Sequence, residues 1–346
     1  MYARFCDEEN IYNAYLKARN GRRYKDEILR FSYNIEKNLQ NIVYELRNNK
    51  YKHGLYYEFV VNDSKKRIIR AAPFKDRIIH HALCNIIEPI FEKSFIFDSY
   101  ACRLGKGLHK AIKRFKQFLR IIKLKNNLKD YNNIYVLKCD IVQYFNSVNK
   151  NILFELIKRK IKDENILAII LIILNSYEKG LPIGNLTSQL FANIYLHELD
   201  FYIKNELKCK YYIRYMDDFI IFDLDKKKLW EKYGLIKNFV FDKLNLKIDD
   251  NKTKLIPIKR GISFLGFIVF GDEIRLRQST VKRFKKKIHK KWVLANNDEK
   301  LAILAIKFCN WKSYYKHGDA YIFSKRLFCK IGEKYDKDIW EFANRR

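Results

Sequence analysis

Residues 211–223 read Tyr211-Tyr212-Ile213-Arg214-Tyr215-Met216-Asp217-Asp218-Phe219-Ile220-Ile221-Phe222-Asp223. Apolar and aromatic residues run up to two adjacent carboxylates and resume straight after them. This pattern predicts two short buried strands joined by a tight turn at Met216-Asp217-Asp218. A hairpin tip bearing two acids presents at least one of them outward, where its hard oxygens can hold a divalent cation. Asp is also a common turn residue, so the dipeptide by itself fits a plain polar turn as well. The rest of the chain has to decide between these readings.

The composition narrows the field. A chain of 346 residues can form one large enzyme core with a subdomain, or two to three modest lobes. With 48% hydrophobic and 15% aromatic residues it can bury a sizeable core, which excludes global disorder. Lys and Arg number 70 against 39 Asp and Glu, a net charge of +31. That excess favours a polyanionic partner, either nucleic acid or an anionic membrane surface. Part of it is an abundance of Lys alongside Asn, Ile and Tyr, a bias that an AT-rich coding genome also produces. The seven cysteines include no CxxC pair, which suggests a reducing compartment without disulfides or a zinc ribbon. The N-terminus lacks a signal peptide's apolar core, and the apolar run Ile166–Leu174 is far short of a membrane span, so a cytoplasmic protein is expected.

Upstream of the hairpin, residues 1–50 carry apolar positions near the helical period. Leu55–Val61 suits a strand, 62–66 a turn and Arg67–Pro73 the returning strand. Phe74–Ile90 reads as a helix. Gly105 and Gly107, with Arg103 and Lys106, form a loop whose backbone and cations would approach phosphates closely. Its spacing is not that of a Walker loop. A basic helix follows through Leu119, then a polar connection over Lys123–Asn133, then the strand Ile134–Asp140. Helices are expected over Asn149–Lys162, Ile166–Tyr177 and Leu186–Glu206, the last largely buried. Downstream come an amphipathic helix, Leu229–Leu244, and strand-like runs at Leu255–Ile258, Ile262–Phe270 and Ile274–Leu276. From Ser279 the chain turns helical and dense in Lys, Arg and aromatics, which places a boundary near residue 275.

Asp140 closes one predicted strand, and Asp217 and Asp218 sit at the hairpin tip after a mostly helical crossing. An α+β sheet brings such acids together. Three carboxylates around two divalent cations would suit in-line phosphoryl transfer. Asp140 alone is an ordinary strand-end residue, but together with the hairpin and the basic excess it brings nucleotidyl transfer into view.

At this point the chain resembles a known family. Tyr215-Met216-Asp217-Asp218 resembles the YxDD box of reverse transcriptases, and Asp140-Ile141-Val142-Gln143-Tyr144-Phe145-Asn146-Ser147-Val148 its first metal-binding motif. Asn251-Lys252-Thr253-Lys254-Leu255 resembles the lysine-bearing motif, and Phe264-Leu265-Gly266-Phe267 the hairpin that grips the primer. The boxes occur in family order, across roughly residues 30–275 plus a thumb-like basic tail. Arg67–Leu83, Ala101–Gly107 and Leu181-Pro182-Ile183-Gly184-Asn185-Leu186-Thr187-Ser188-Gln189 resemble the reverse transcriptases of diversity-generating retroelements. Most group II intron and retron enzymes carry Gln-Gly and Ser-Pro in the last of these, where this chain has Ile183 and Gln189. No maturase or endonuclease extension and no retron-type signature is expected. A related phage-defence reverse transcriptase is the alternative.

The resemblance implies an α+β right-hand polymerase, with fingers and palm over 1–275 and a basic helical thumb over 276–346. It implies RNA-templated DNA synthesis with two Mg²⁺ ions, for which Mn²⁺ would substitute. Asp140 and Asp217 would bind the metals, with Asp218 in support and Ile141 bordering both metal and nucleotide. Phe145 would be the steric gate against a ribose 2′-hydroxyl. Arg67, with Lys66 or Arg70, would hold the triphosphate, and strand register leaves open which of them does so. Ile183 and Gly184 would border the incoming nucleotide. An aliphatic residue at 183 cannot make the hydrogen bond of the usual Gln, which implies misincorporation opposite template adenines. Lys252 would stand near the leaving pyrophosphate, Phe264, Leu265 and Gly266 would grip the primer, and Gln189 would contact template or palm backbone. His80, His81 and His109 have no metal-ligand spacing and read as fingers packing or template contacts. Lys282–Lys287 and Trp311–Gly318 suit a thumb that tracks a duplex backbone. The implied partners are a structured RNA template, the cDNA/RNA duplex, deoxynucleotides and a small basic helical accessory protein that forms an oligomer, with no membrane.

Overall fold

The long apolar helix just before the hairpin sets the frame. The computed structural model describes residues 1–62 and 66–293, with side chains to Lys287. In it Leu186–Phe201 is helical and continues into a π-turn at Tyr202–Glu206. A helix that is apolar on every side has to be covered on every side, and Leu190, Phe191, Ile194, Tyr195, Leu196 and Leu199 are all buried. Helices Phe74–Glu92 and Lys150–Lys158 pack on it. N-terminal helices Glu8–Ala18, Asp26–Tyr33 and Ile35–Arg47 carry the expected apolar period. Their inner faces build an aromatic cluster in which the Phe31 ring lies 6.0 Å from Tyr15 and 5.1 Å from Phe74.

Nine strands occur among the described residues: β1 (Tyr57–Asn62), β2 (Lys66–Ala71), β3 (Tyr135–Cys139), β4 (Tyr212–Tyr215), β5 (Asp218–Asp223), β6 (Lys254–Pro257), β7 (Ile262–Phe264), β8 (Phe267–Phe270) and β9 (Glu273–Leu276). β1 and β2 form an antiparallel ribbon in which Val61 faces Arg67. A four-stranded sheet has the order β4-β5-β3-β6, and β7-β8-β9 form a third sheet. With helices and antiparallel sheets the fold is α+β, as expected.

Several boundaries differ from expectation for physical reasons. The basic helix runs over Leu108–Lys125, beyond Leu119, because Ile122 continues its buried stripe and lysine propagates a helix well. The helix expected over Asn149–Lys162 starts behind the Asn149 cap, whose side chain accepts from the Asn151 and Ile152 amides, and stops at Lys158. The run Ile262–Phe270 is two strands, broken by Leu265 and Gly266 at φ +49° and +87°. Asp218 opens β5 and does not belong to the turn.

The chain divides into two compact units: Met1–Leu104 with Cys139–Phe219 and Trp230–Thr253, and Gly105–Lys138 with Ile220–Leu229 and Lys254–Arg346. The boundary expected near 275 falls inside the second unit, where β9 pairs with β8. Helix Gln278–Val293 opens the segment expected to be the thumb, and Trp311–Gly318 lies outside the described residues.

One buried ion pair fixes the hairpin. Arg214 in β4 and Asp200 on the long helix are both fully buried, and the guanidinium meets the carboxylate at 2.7 Å through Nε and 2.6 Å through Nη2. Its Nη1 donates to Asn193 Oδ1 at 3.1 Å and to the Met216 carbonyl at 3.2 Å. Met216 is in the left-handed region at φ +57°, which costs a non-glycine residue roughly 1–2 kcal/mol. The arginine therefore holds a strained turn against the helix. Removing one partner of a buried pair strands the other charge, so Arg214→Met should lower unfolding stability by about 3–5 kcal/mol. Arg214→Met with Asp200→Leu should recover most of that loss in denaturant titrations. A single variant as stable as wild type would contradict this role.

Candidate active site

Asp140 follows the last residue of β3, and β5 is the neighbour of β3 in the sheet. That order brings Asp140 to the turn that carries Asp217. A second segment runs beside Asp140. The Asp249 amide donates to the Asp140 carbonyl at 2.8 Å, the Val142 amide donates to the Lys247 carbonyl at 2.9 Å, and Ile141 forms an antiparallel bridge with Ile248. The chain then turns on Asp249, whose carbonyl accepts from the Lys252 and Thr253 amides at 3.1 and 2.9 Å. This turn returns the Lys252 ammonium to Asp140. It pairs there with the Asp140 carboxylate and at 2.7 Å with that of Asp249.

The electrostatics follow from this crowding. The Asp217 carboxyl is pushed up to about 6, first by burial and then by the Asp140 carboxylate, which lies within hydrogen-bonding reach. Asp218 adds a weaker like-charge push. Lys252 is raised by its hydrogen bonds to Asp140 and Asp249, so its ammonium holds its proton at neutral pH. Among the described residues no group of three or more His, Cys, Asp or Glu side chains is arranged as a cation cage. Two facing carboxylates that repel one another nevertheless suit Mg²⁺, which commonly takes one or two carboxylates and fills its remaining positions with water and substrate phosphates. Asp140 and Asp217 would hold the metal, with Asp218, whose charge acts on Asp217 more weakly than that of Asp140, in support. Ile141 is 1% exposed and its side chain belongs to the core, so it offers the site main chain alone.

Residues 52–269, more than half of the chain, match the family model described as reverse transcriptase (RNA-dependent DNA polymerase). The chain belongs to the reverse transcriptase family. It is 26% identical to the group II intron-encoded protein LtrA of Lactococcus lactis subsp. cremoris, covering 67% of this chain and 50% of that protein. It is 24% identical to protein YkfC of Escherichia coli K12, covering 59% of this chain and 63% of that protein. The chain thus spans half to under two-thirds of the length of these relatives. The apo telomerase of Candida tropicalis shares its fold with a TM-score of 0.52 at 13% identity, covering 70% of this chain and 53% of that one. The fold is that of the right-hand polymerases.

The remaining expected residues divide by environment. Lys66 and Arg67 are exposed on β2, and among the described residues neither enters an ion pair. Arg70 is committed elsewhere: its Nε donates to Glu58 at 2.6 Å and its guanidinium lies 4.7 Å from the Tyr177 ring centre. Alternation along a strand puts Arg67 on the same face as Ile69, whose Cγ2 lies 2.9 Å from where a Cβ on Gly184 would be. The register left open by the sequence therefore favours Arg67 on the side of the 183–184 loop. Phe145 is half-buried in a helical turn, Tyr144–Ser147, and Ile183 is half-buried with its carbonyl accepting from the Arg70 amide at 2.8 Å. Gln189 lines a cavity of about 220 Å³ with Lys17, Arg22, Arg77 and His81. His80 is buried, hydrogen-bonds Thr187 through Nδ1 at 3.3 Å, and is lowered to about 3 by desolvation, so it packs as a neutral ring.

Two expectations need correction. Arg103 does not reach outward for phosphates. Its side chain is 5% exposed and its guanidinium is spent on Glu92 at 2.6 Å and on the Ile96 and Ser99 carbonyls. Phe264 is fully buried, 6.0 Å from the Phe115 ring, so its side chain does not face outward as expected of a primer grip, and Leu265 and Gly266 beside it are half-buried. Sequence reasoning also missed Arg214, Asp200 and Asp249. The one available signal was a charged residue set inside an otherwise apolar strand.

Lys252, paired with Asp140, would compete with a cation held there, and this can be measured. An exposed ion pair is worth about 0.2–1 kcal/mol, so Lys252→Met should tighten Mn²⁺ binding by up to about fivefold in EPR titrations. Asp140→Asn and Asp217→Asn should each weaken it more than about tenfold. Equal affinity in wild type and Asp217→Asn would contradict the assignment.

Proposed function

We propose that this chain is an RNA-directed DNA polymerase that copies a structured RNA into adenine-mutagenised cDNA for a diversity-generating retroelement. The observation that carries the polymerase reading is the facing pair Asp140 and Asp217 beside a protonated Lys252. Magnesium ions held there would activate the primer 3′-hydroxyl and offset charge on the reacting phosphorus, with Mn²⁺ able to take their place. Arg67 would hold the triphosphate through charge-assisted hydrogen bonds. Phe145 would close the space beneath the sugar to a 2′-hydroxyl. As the primer oxygen bonds to the α-phosphorus and its proton passes to solvent water, the bond to the β-phosphate oxygen breaks, and Lys252 would give its own proton to the departing pyrophosphate. The net charge of +31 favours a nucleic-acid template and duplex. Among the described residues no helix is long and apolar enough to cross a membrane. The reading entails a cytoplasmic enzyme working with a small basic helical accessory protein that forms an oligomer.

The mutagenic subtype rests on Ile183. Its main chain is pinned to Arg70, which supports reading residue 183 as a neighbour of the incoming nucleotide, and its side chain would offer that nucleotide no hydrogen bond. Buried polar contacts discriminate substrates far better than apolar ones. A second reading, an intron-encoded polymerase of ordinary fidelity, is favoured by the names of the curated relatives. A phage-defence enzyme would share the chemistry and differ in template and product.

Sequencing the DNA made from a defined RNA separates these readings. Wild type should misincorporate opposite adenine at least about tenfold more often than opposite other bases, and Ile183→Gln should reduce that excess severalfold. An even error spectrum in both proteins would sink the mutagenic reading and leave the polymerase reading standing.

A further inference from the structure

Phe145 stands on very little of its own. Its helical turn, Tyr144–Ser147, is four residues long and is entered through Gln143 at φ +44°. Below it, the buried Tyr144 hydroxyl donates to the Ala192 carbonyl at 2.5 Å. Above it, a separate loop is pressed against its main chain: the Leu181 amide donates to the Phe145 carbonyl at 2.7 Å. That approach exists because the preceding residue has no side chain. Gly180 lies at φ +64°, and a Cβ there would fall 2.2 Å from the Phe145 carbonyl oxygen and 2.7 Å from the carbonyl carbon and oxygen of Asn146. These are backbone atoms, so no side-chain rotation can relieve the overlap.

The same loop is held at both ends. At its start the Lys150 ammonium donates to the Tyr177 carbonyl and, at 3.0 Å, to that of Glu178. At its end the Ile183 carbonyl accepts from the Arg70 amide, and Asn185 accepts from the Ala72 amide and donates to the Arg70 carbonyl, both at 3.2 Å. Loop 177–185 therefore spans from the β1–β2 ribbon to the turn carrying Phe145.

We propose that Gly180 is a positioning residue for Phe145: by letting Leu181 dock on the Phe145 carbonyl, it sets how closely the ring approaches the sugar and hence how strongly ribonucleotides are rejected. The proposal rests on the reading of Phe145 as the ring beneath the sugar. An added Cβ pushes the Phe145 backbone by most of an ångström, and displacements near 1 Å can change rates by about a hundredfold.

The test measures kcat/KM for a deoxynucleotide and its ribonucleotide, with the full chain and an RNA template. Gly180→Ala should lower the deoxy-to-ribo ratio by about tenfold or more, and should lower it no further in a Phe145→Ala background. Gly234→Ala, where the added methyl meets open space, should leave the ratio as it was. If Gly180→Ala does not fold, Lys150→Ala decides, because it frees the start of the same loop and should lower the ratio severalfold. Loss of activity shared equally by both nucleotides overturns the proposal, as does an equal fall in Gly234→Ala. A ratio that Phe145→Ala leaves unchanged instead refutes the reading of Phe145 itself.

Discussion

The guanidinium of Arg214 is the contact on which the site depends. Four hydrogen bonds run from it to Asp200, Asn193 and the Met216 carbonyl, with none of the side chains of Arg214, Asp200 or Asn193 more than 1% exposed. The strand itself is locked on its outer edge, where the Arg214 amide and carbonyl bond Asp98 and Tyr100 at 3.0 Å. A turn in an unfavourable backbone region stays in place when its surroundings over-determine it. The helix that supplies Asp200 begins at Leu186, directly after Asn185 has clamped β2. One rigid helix thus links the Met216–Asp217 turn at one end to loop 177–185 at the other. Sites built on such elements hold their geometry better than sites on free loops.

Charge works on two scales. Over the whole chain, +31 draws a polyanion from a distance, weakened by salt. At the carboxylate cluster the local sign is reversed, and burial, the Asp140 carboxylate and more weakly Asp218 push Asp217 toward its protonated form. Bare carboxylates repel a triphosphate. Divalent cations reverse that, and Lys252 partly offsets the acid charge from Asp140. The cations of the fold are divided accordingly. Arg214, Arg103 and Arg70 are spent on Asp200, Glu92 and Glu58, whereas Lys66 and Arg67 stand exposed on the ribbon.

Strongly periodic features were legible in the sequence. The long helix before the hairpin, the hairpin, the β1–β2 ribbon and the N-terminal helices lie within a few residues of their expected places, because an apolar pattern and a local turn suffice to specify them. Asp140, Asp217 and Lys252 were also legible, and the fold brings them together. What was not legible depends on contacts between distant segments. Arg214 reads as one more basic residue until Asp200 and Asn193 are seen beneath it. Arg103 reads as a phosphate ligand until Glu92, a helix end away, takes it inward. Gly180 reads as an ordinary loop glycine, and the Phe145 carbonyl that requires it is far away in the chain. Phe264 reads as a primer contact because a buried and an exposed aromatic look alike in one dimension.

The proposed chemistry requires two distant stretches of chain to form a single cation site, and metal-directed cleavage tests that directly. Ferrous iron in place of magnesium, with ascorbate and peroxide, generates radicals that cut the backbone next to the bound ion. Fragments should end near Asp140 and near Asp217 in the same sample, and both cuts should vanish with excess Mg²⁺ or in Asp217→Asn. Cleavage at one of these stretches without the other, or only elsewhere in the chain, would contradict the account.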